Sequence, residues 1–140
     1  VIVLDTNVVS ELSRELPDPR VQPWVNAHPA GDFHIAVITE AELLTGVAMM
    51  PAGKRRDAVQ ASVKAIIDVA LGGRVLPLDR QAAPHFASLR ALRRAKGVSF
   101  DAADLLIAAI ARAHGAAAIA TRNPSDFAGC GVRLIDPWAA

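Results

Sequence analysis

The feature that most constrains this chain is a repeated pairing of a short, mainly apolar run with a longer helical pattern. Val1–Leu4 is continuously apolar, β-branched at three of four positions, and stopped by Asp5. A short apolar run without alternation suits a strand buried on both faces, as in a parallel sheet. Further short, mainly apolar runs that read as strands recur at Phe33–Ile38 (with one His), Arg74–Leu78, Ala116–Ala120 and Val132–Ile135. Strands joined by helices in this way predict an α/β fold. The expected architecture is a three-layer α/β/α sandwich with a central, mainly parallel sheet of about five strands. At 140 residues the chain suits a single domain spanning 1–140.

The segments between these runs carry helical signals. Val8–Glu15 is helical in pattern until Pro17 and Pro19, and Arg20–Ala27 makes a second short helix with Trp24 on its apolar side. Thr39-Glu40-Ala41-Glu42 fits a capping box, so a helix is expected to begin at Thr39, with Leu43, Leu44 and Val47 facing inward. Lys54–Leu71 reads as one long amphipathic helix ended by Gly72-Gly73. Arg80–Lys96 is helical up to Gly97. Asp101–His114, apolar nearly all round, reads as a buried helix stopped by Gly115.

Composition removes several function classes. The net charge of +1 excludes a basic arm that coats nucleic acid by charge alone, and no Tyr with only four Phe and two Trp argues against a multi-ring stacking sheet. The single Cys130 cannot form an intrachain disulfide, and the four histidines are scattered without zinc spacing. No signal peptide is legible, and the apolar stretch Leu105–Ala120 is interrupted by Arg112 and His114. The expected setting is cytoplasmic, away from membranes.

Ligands of open parallel sheets gather beyond the carboxyl ends of the strands. The polar residues expected there are Asp5 after the first strand, Thr39–Glu42 after the second and Thr121–Asp126 after the fourth. Asp104 falls in the first turn of the late helix. Each acid also has a plain structural role: Glu42 in the capping box, Asp104 complementing a helix N-terminus, Asp126 capping a turn. As a set they differ. Asp5, Glu42, Asp104 and Asp126 converging without Lys or Arg would repel one another, and a hard divalent cation removes that conflict. Oxygen-only ligands select Mg²⁺ or Mn²⁺ rather than zinc. Asp104 precedes the run Leu105–Ile110, so its surroundings are expected to be dry and an unpaired carboxylate costly.

These residues resemble a known family. Val3-Leu4-Asp5-Thr6-Asn7-Val8-Val9-Ser10-Glu11-Leu12 is similar to the opening of PIN-domain nucleases. Asp101-Ala102-Ala103-Asp104-Leu105-Leu106-Ile107-Ala108-Ala109 resembles their third acidic motif, and Ala120-Thr121-Arg122-Asn123-Pro124-Ser125-Asp126-Phe127 their fourth. With the intervening Thr39–Gly46 segment, the likeness spans the chain and is closest to VapC toxins of the FitB-like branch. It implies a metal-dependent endoribonuclease acting as the toxin of a type II toxin–antitoxin pair. Asp5, Glu42 and Asp104 would then be metal ligands for Mg²⁺ or Mn²⁺, with Thr6 orienting Asp5. In the fourth acidic position this chain carries Asn123, and Asp126 three residues on could supply the carboxylate; both join the catalytic set. The resemblance also implies an RNA substrate, a cognate small antitoxin placing an Arg in the acidic site, and a homodimer.

Two rivals stand beside this reading. A catalytically silent PIN-fold module for RNA binding or protein interaction is favoured by Asn123 and opposed by the intact Asp5, Glu42 and Asp104. A haloacid-type phosphatase needs a second Asp where Asn7 stands, and a receiver, for which Asp79 could serve as the acceptor, needs a later Lys that is absent beyond Lys96. Arg112 and Arg122 lie within the motif segments and are candidate substrate contacts. The near-neutral charge is itself a sum of unlike parts: acids outnumber bases seven to two in residues 1–50, and bases outnumber acids ten to three in residues 51–100. The basic middle is the place to look for an RNA backbone.

Overall fold

The computed structural model describes residues 1–140. Five strands form one sheet: β1 (Ile2–Leu4), β2 (Phe33–Ala36), β3 (Val75–Leu76), β4 (Ala118–Ala120) and β5 (Arg133–Ile135). Their order is β3-β2-β1-β4-β5 and every neighbouring pair is parallel. The helices are α1 (Thr6–Leu12), α2 (Val21–Asn26), α3 (Val37–Ala48), α4 (Lys54–Ala65), α5 (Ala82–Ala95) and α6 (Ala102–Ala113). No helix is long and apolar enough to cross a membrane.

The period-two alternation of β1 splits the core in two. Ile2 and Leu4 face a cluster built with Val8, Val9, Leu43 and Ile67, while Val3 faces the other side with Ile107, Ile110 and Phe127. Two apolar layers, one on each face, make the expected sandwich. The second layer depends on α6, where Leu105 and Ile107–Ala111 are all buried. Burying a Leu or Ile fully stabilises by about 1.5–3 kcal/mol, so this helix is the main anchor of its face.

Two expected elements differ. The segment after β2 turns helical at Val37, two residues before Thr39, and Ala36 is the N-cap with no side-chain hydrogen bond. The capping box does not form. Thr39 is wholly buried and its hydroxyl meets Thr6 instead, a long-range partner that local patterning cannot register. The long helix from Lys54 is regular only to Ala65; Ile66–Ala70 widens into a π turn, with the Leu71 N–H reaching back five residues to Ile66 at 2.8 Å. Gly72 and Gly73, at φ 56° and 71°, then reverse the chain into β3 in a conformation L side chains rarely take.

Chain order runs from β1 outward to β3, then returns to β4 on the other side of β1. The sheet therefore changes direction between β1 and β4, and the crevice beyond their carboxyl ends is the natural ligand position.

Candidate active site

Asp5 and Thr121 are the first residues past β1 and β4, and they flank that crevice. Asp5 also caps α1: its Oδ1 accepts from the Thr6 N–H at 2.8 Å, while its Oδ2 accepts from the Thr121 hydroxyl at 2.8 Å. Its own N–H donates to the Ala120 carbonyl, which extends the β1–β4 ladder by one bond. Both carboxylate oxygens are thus fixed by groups that the sheet has already positioned. Burial pushes the Asp5 carboxyl above its usual range. The bonds from Thr121 and Thr6 oppose that, and the nearby charges of Glu42 and Asp126 add to it.

Glu42 reaches the crevice from the second turn of α3. Its Oε1 accepts from the Thr6 hydroxyl at 2.7 Å, and that hydroxyl lies 3.1 Å from Thr39 Oγ1. Asp104 comes from the first turn of α6. Asp101, at the N-cap, accepts from the N–H groups of Ala103 and Asp104 at 2.8 and 3.2 Å. Partial burial pushes the Asp104 carboxyl up to about 7, helped by the charges of Asp5, Asp101, Asp126 and Glu42. Burial contributes most to that rise, and the four acids that add to it mark a concentration of negative charge.

No Lys, Arg or His forms an ion pair with any of these acids; the ion pairs lie elsewhere, at Arg14–Glu11, Arg20–Asp18 and His114–Asp79. In charge and in donor chemistry the residues fit a hard divalent cation. In position they are looser, since no three acidic, His or Cys side chains stand close enough together to enclose one ion.

The sequence profile of the PIN domain matches residues 2–128. The chain belongs to the PIN-domain family. A relative of this PIN domain, the VapC ribonuclease Y4jK of Sinorhizobium fredii, is 44% identical over 137 residues, covering 98% of this chain and 97% of the relative. Toxin FitB of Neisseria gonorrhoeae is 36% identical over 137 residues, covering 98% of each. The crystal structure of FitAcB from Neisseria gonorrhoeae overlays on it with a TM-score of 0.90 at 35% identity, covering the whole of both chains.

In this PIN domain the other candidates fall at different distances from the acids. Asp126 sits in a 3₁₀ turn, Pro124–Phe127, and lines a cleft of about 370 Å³ together with Asp101, Asp104 and Ser125. Asn123 precedes that turn; its N–H donates to Thr121 Oγ1 at 3.1 Å, so its backbone, rather than its side chain, joins the Asp5 network. Arg122 lies on the site's side of the sheet, but its guanidinium sits over the Trp138 ring, 4.9 Å from the centroid. Arg112 is placed away from the acids. It lies in the last turn of α6, about 12 Å of helix rise beyond Asp104, and packs near Gly131 ahead of β5. The motif carries it in sequence, but α6 carries it to the end of the helix away from Asp104.

Two site residues were not singled out as catalytic from the sequence. Thr121, fully buried, bridges Asp5 and the Asn123 backbone; its signal was its place directly after β4, mirroring Asp5 after β1. Thr39 was legible only as a helix cap. Arg93, within the basic middle of the chain, donates to the carbonyls of Asp126 and Ala128 at 2.9 and 3.0 Å and holds the 3₁₀ turn against α5.

Proposed function

We propose that this PIN domain is a divalent-metal-dependent endoribonuclease, the toxin of a toxin–antitoxin pair. The observation that carries the reading is that Asp5 and Glu42 share Thr6 as a hydrogen-bond partner and Asp104 feels both their charges, with no cation paired to any of the three. The names borne by the relatives, a VapC ribonuclease and a toxin, support the same activity.

Asp5, Glu42 and Asp104 would hold a Mg²⁺ or Mn²⁺. Such an ion supplies positive charge to a phosphodiester oxygen and lowers the pKa of water. The chain's own residues prepare the ground. Thr121 and the Thr6 N–H fix the Asp5 carboxylate, and the Thr6 hydroxyl fixes Glu42. Asp104 gives up its proton near pH 7 and so becomes an ionised ligand in the physiological range. Leu105 and Ile107, buried in the core, anchor the turn of α6 that carries Asp104. Asn123 brings one negative charge fewer than an acid there would, which favours a single cation.

Purified protein incubated with total RNA and Mg²⁺ or Mn²⁺ should yield discrete new 5′ ends that Asp5→Ala abolishes. Identical ends from both proteins would refute the assignment. Expressed alone the chain should arrest growth, relieved by a small partner presenting an Arg to the acids, because a guanidinium neutralises clustered carboxylates much as a metal does. Asn123 and the loosely spaced acids favour a second reading, a silent PIN module. It predicts no Mn²⁺ binding above that of an Asp5→Asn, Asp104→Asn double variant.

A further inference from the structure

The acids do not account for the basic middle of the chain, and the arginines of α5 are not equivalent. Arg93 is spent on two carbonyls. Arg90 lies over the Phe100 ring, 5.5 Å from its centroid, and Arg94 lines the same open groove of about 1050 Å³. Neither Arg90 nor Arg94 is paired with a carboxylate. Phe33 and Phe127 are buried in the core, whereas Phe100 is 38% exposed.

The chain leading to the ring is also fixed as far as Val98. α5 ends in a Schellman closure, with the Gly97 N–H on the Arg94 carbonyl and the Val98 N–H on the Arg93 carbonyl, both at 3.0 Å. Gly97 takes the left-handed conformation this requires, at φ 65°. The turn brings Phe100 back over Arg90. Val98, Ser99 and Phe100 line both this groove and the adjoining cleft that contains Asp104 and Asp126. Phe100 is therefore a shared wall between a basic groove and the cleft of Asp101, Asp104 and Asp126.

We propose that Phe100, backed by Arg90, is a stacking platform for one base of a single-stranded RNA whose backbone Arg94 grips, and that it feeds the strand into the acid cleft. An exposed ring among unpaired arginines suits a single-stranded nucleic acid, since every base has a π face and every linkage a negative charge. The platform rests on the nuclease reading only for the strand's destination; binding itself needs no cleavage.

The test uses the full chain in chelating buffer with a fluorescein-labelled single-stranded RNA of about 12 nucleotides, read by anisotropy. Phe100→Ala should weaken binding about 5- to 100-fold, Phe100→Leu should not rescue it and Phe100→Trp should. Arg94→Gln should flatten the dependence of log affinity on log salt by about 0.7. Unchanged affinity in Phe100→Ala, full affinity in Phe100→Leu, or no binding by the wild type overturns the platform. So does a change in oligomeric mass without a change in RNA affinity, which would make the groove a contact between copies. Cleavage with metal, scored separately against Asp5→Ala, distinguishes the two proposals. Asp5-dependent cleavage with Phe100-independent binding removes the platform alone, and Phe100-dependent binding without cleavage removes the nuclease alone.

Discussion

Replacing Asp104 with Asn should stabilise the metal-free protein while abolishing cation binding at the site. In the fold this carboxyl titrates at about 7 against an ordinary 3.8. The folded state therefore holds the proton more tightly than the unfolded chain. The sign follows: the favourable contribution is complete below about pH 4 and is lost as pH rises to about 7. At 1.36 kcal/mol per pH unit, the gap of about three units sets a ceiling of about 4 kcal/mol. The carboxyl is only partly buried, so water screens it and about 1–2 kcal/mol is the realistic figure. Urea melts in chelator should show Asp104→Asn more stable by that amount near pH 8, a rise of about 3–7 °C in Tm, with the gain vanishing near pH 4. Excess Mn²⁺ should then stabilise the wild type and not the variant. A variant no more stable than wild type near pH 8, or one whose advantage is the same at both pH values, would refute the charge-repulsion argument.

Thr121→Val leaves Asp5 Oδ2 and the Asn123 N–H without their partner in a buried setting; a loss of about 1–3 kcal/mol by urea melt is expected, with Thr121→Ser close to wild type. Arg93→Ala frees the carbonyls of Asp126 and Ala128, so the 3₁₀ turn should become an early site of limited proteolysis. Arg112→Gln should leave RNA cleavage unchanged, because the residue sits at the far end of α6; a large loss of cleavage in folded protein would contradict that placement. Mn²⁺ affinity should rise between about pH 6 and pH 8 as Asp104 releases its proton, a trend visible by calorimetry in buffers of different ionisation heat.

The strands β1 and β4 were legible because they are buried on both faces, which leaves an uninterrupted apolar run; β2 is interrupted only by the partly buried His34. The acids were legible because Asp5 interrupts such a run and Asp104 precedes one. The start of α3 was not. Thr-x-x-Glu has the same spelling whether Thr39 caps a helix or sits inside its first turn, and the hydroxyl of Thr6, 33 residues away, decided the matter. Arg93 and Arg94 are adjacent in sequence and identical in chemistry, yet one pins a turn and the other faces open space, because successive residues on a helix point about 100° apart.

Hydrophobic periodicity was enough to specify the parallel sheet and its two apolar layers, and charge at the end of an apolar run was enough to single out the acids as candidates. Only the tertiary structure decided which groups hold those acids. Thr121 meets Asp5 across 116 positions of chain, and Phe100 meets the cleft because a Schellman turn folds it back. Contacts of that kind depend on strand order and turn geometry, and local patterning carries neither. The same distinction recasts the net charge of +1: composition gives the sum, but the fold puts the acids at one crevice and the free arginines of α5 along the groove beside it.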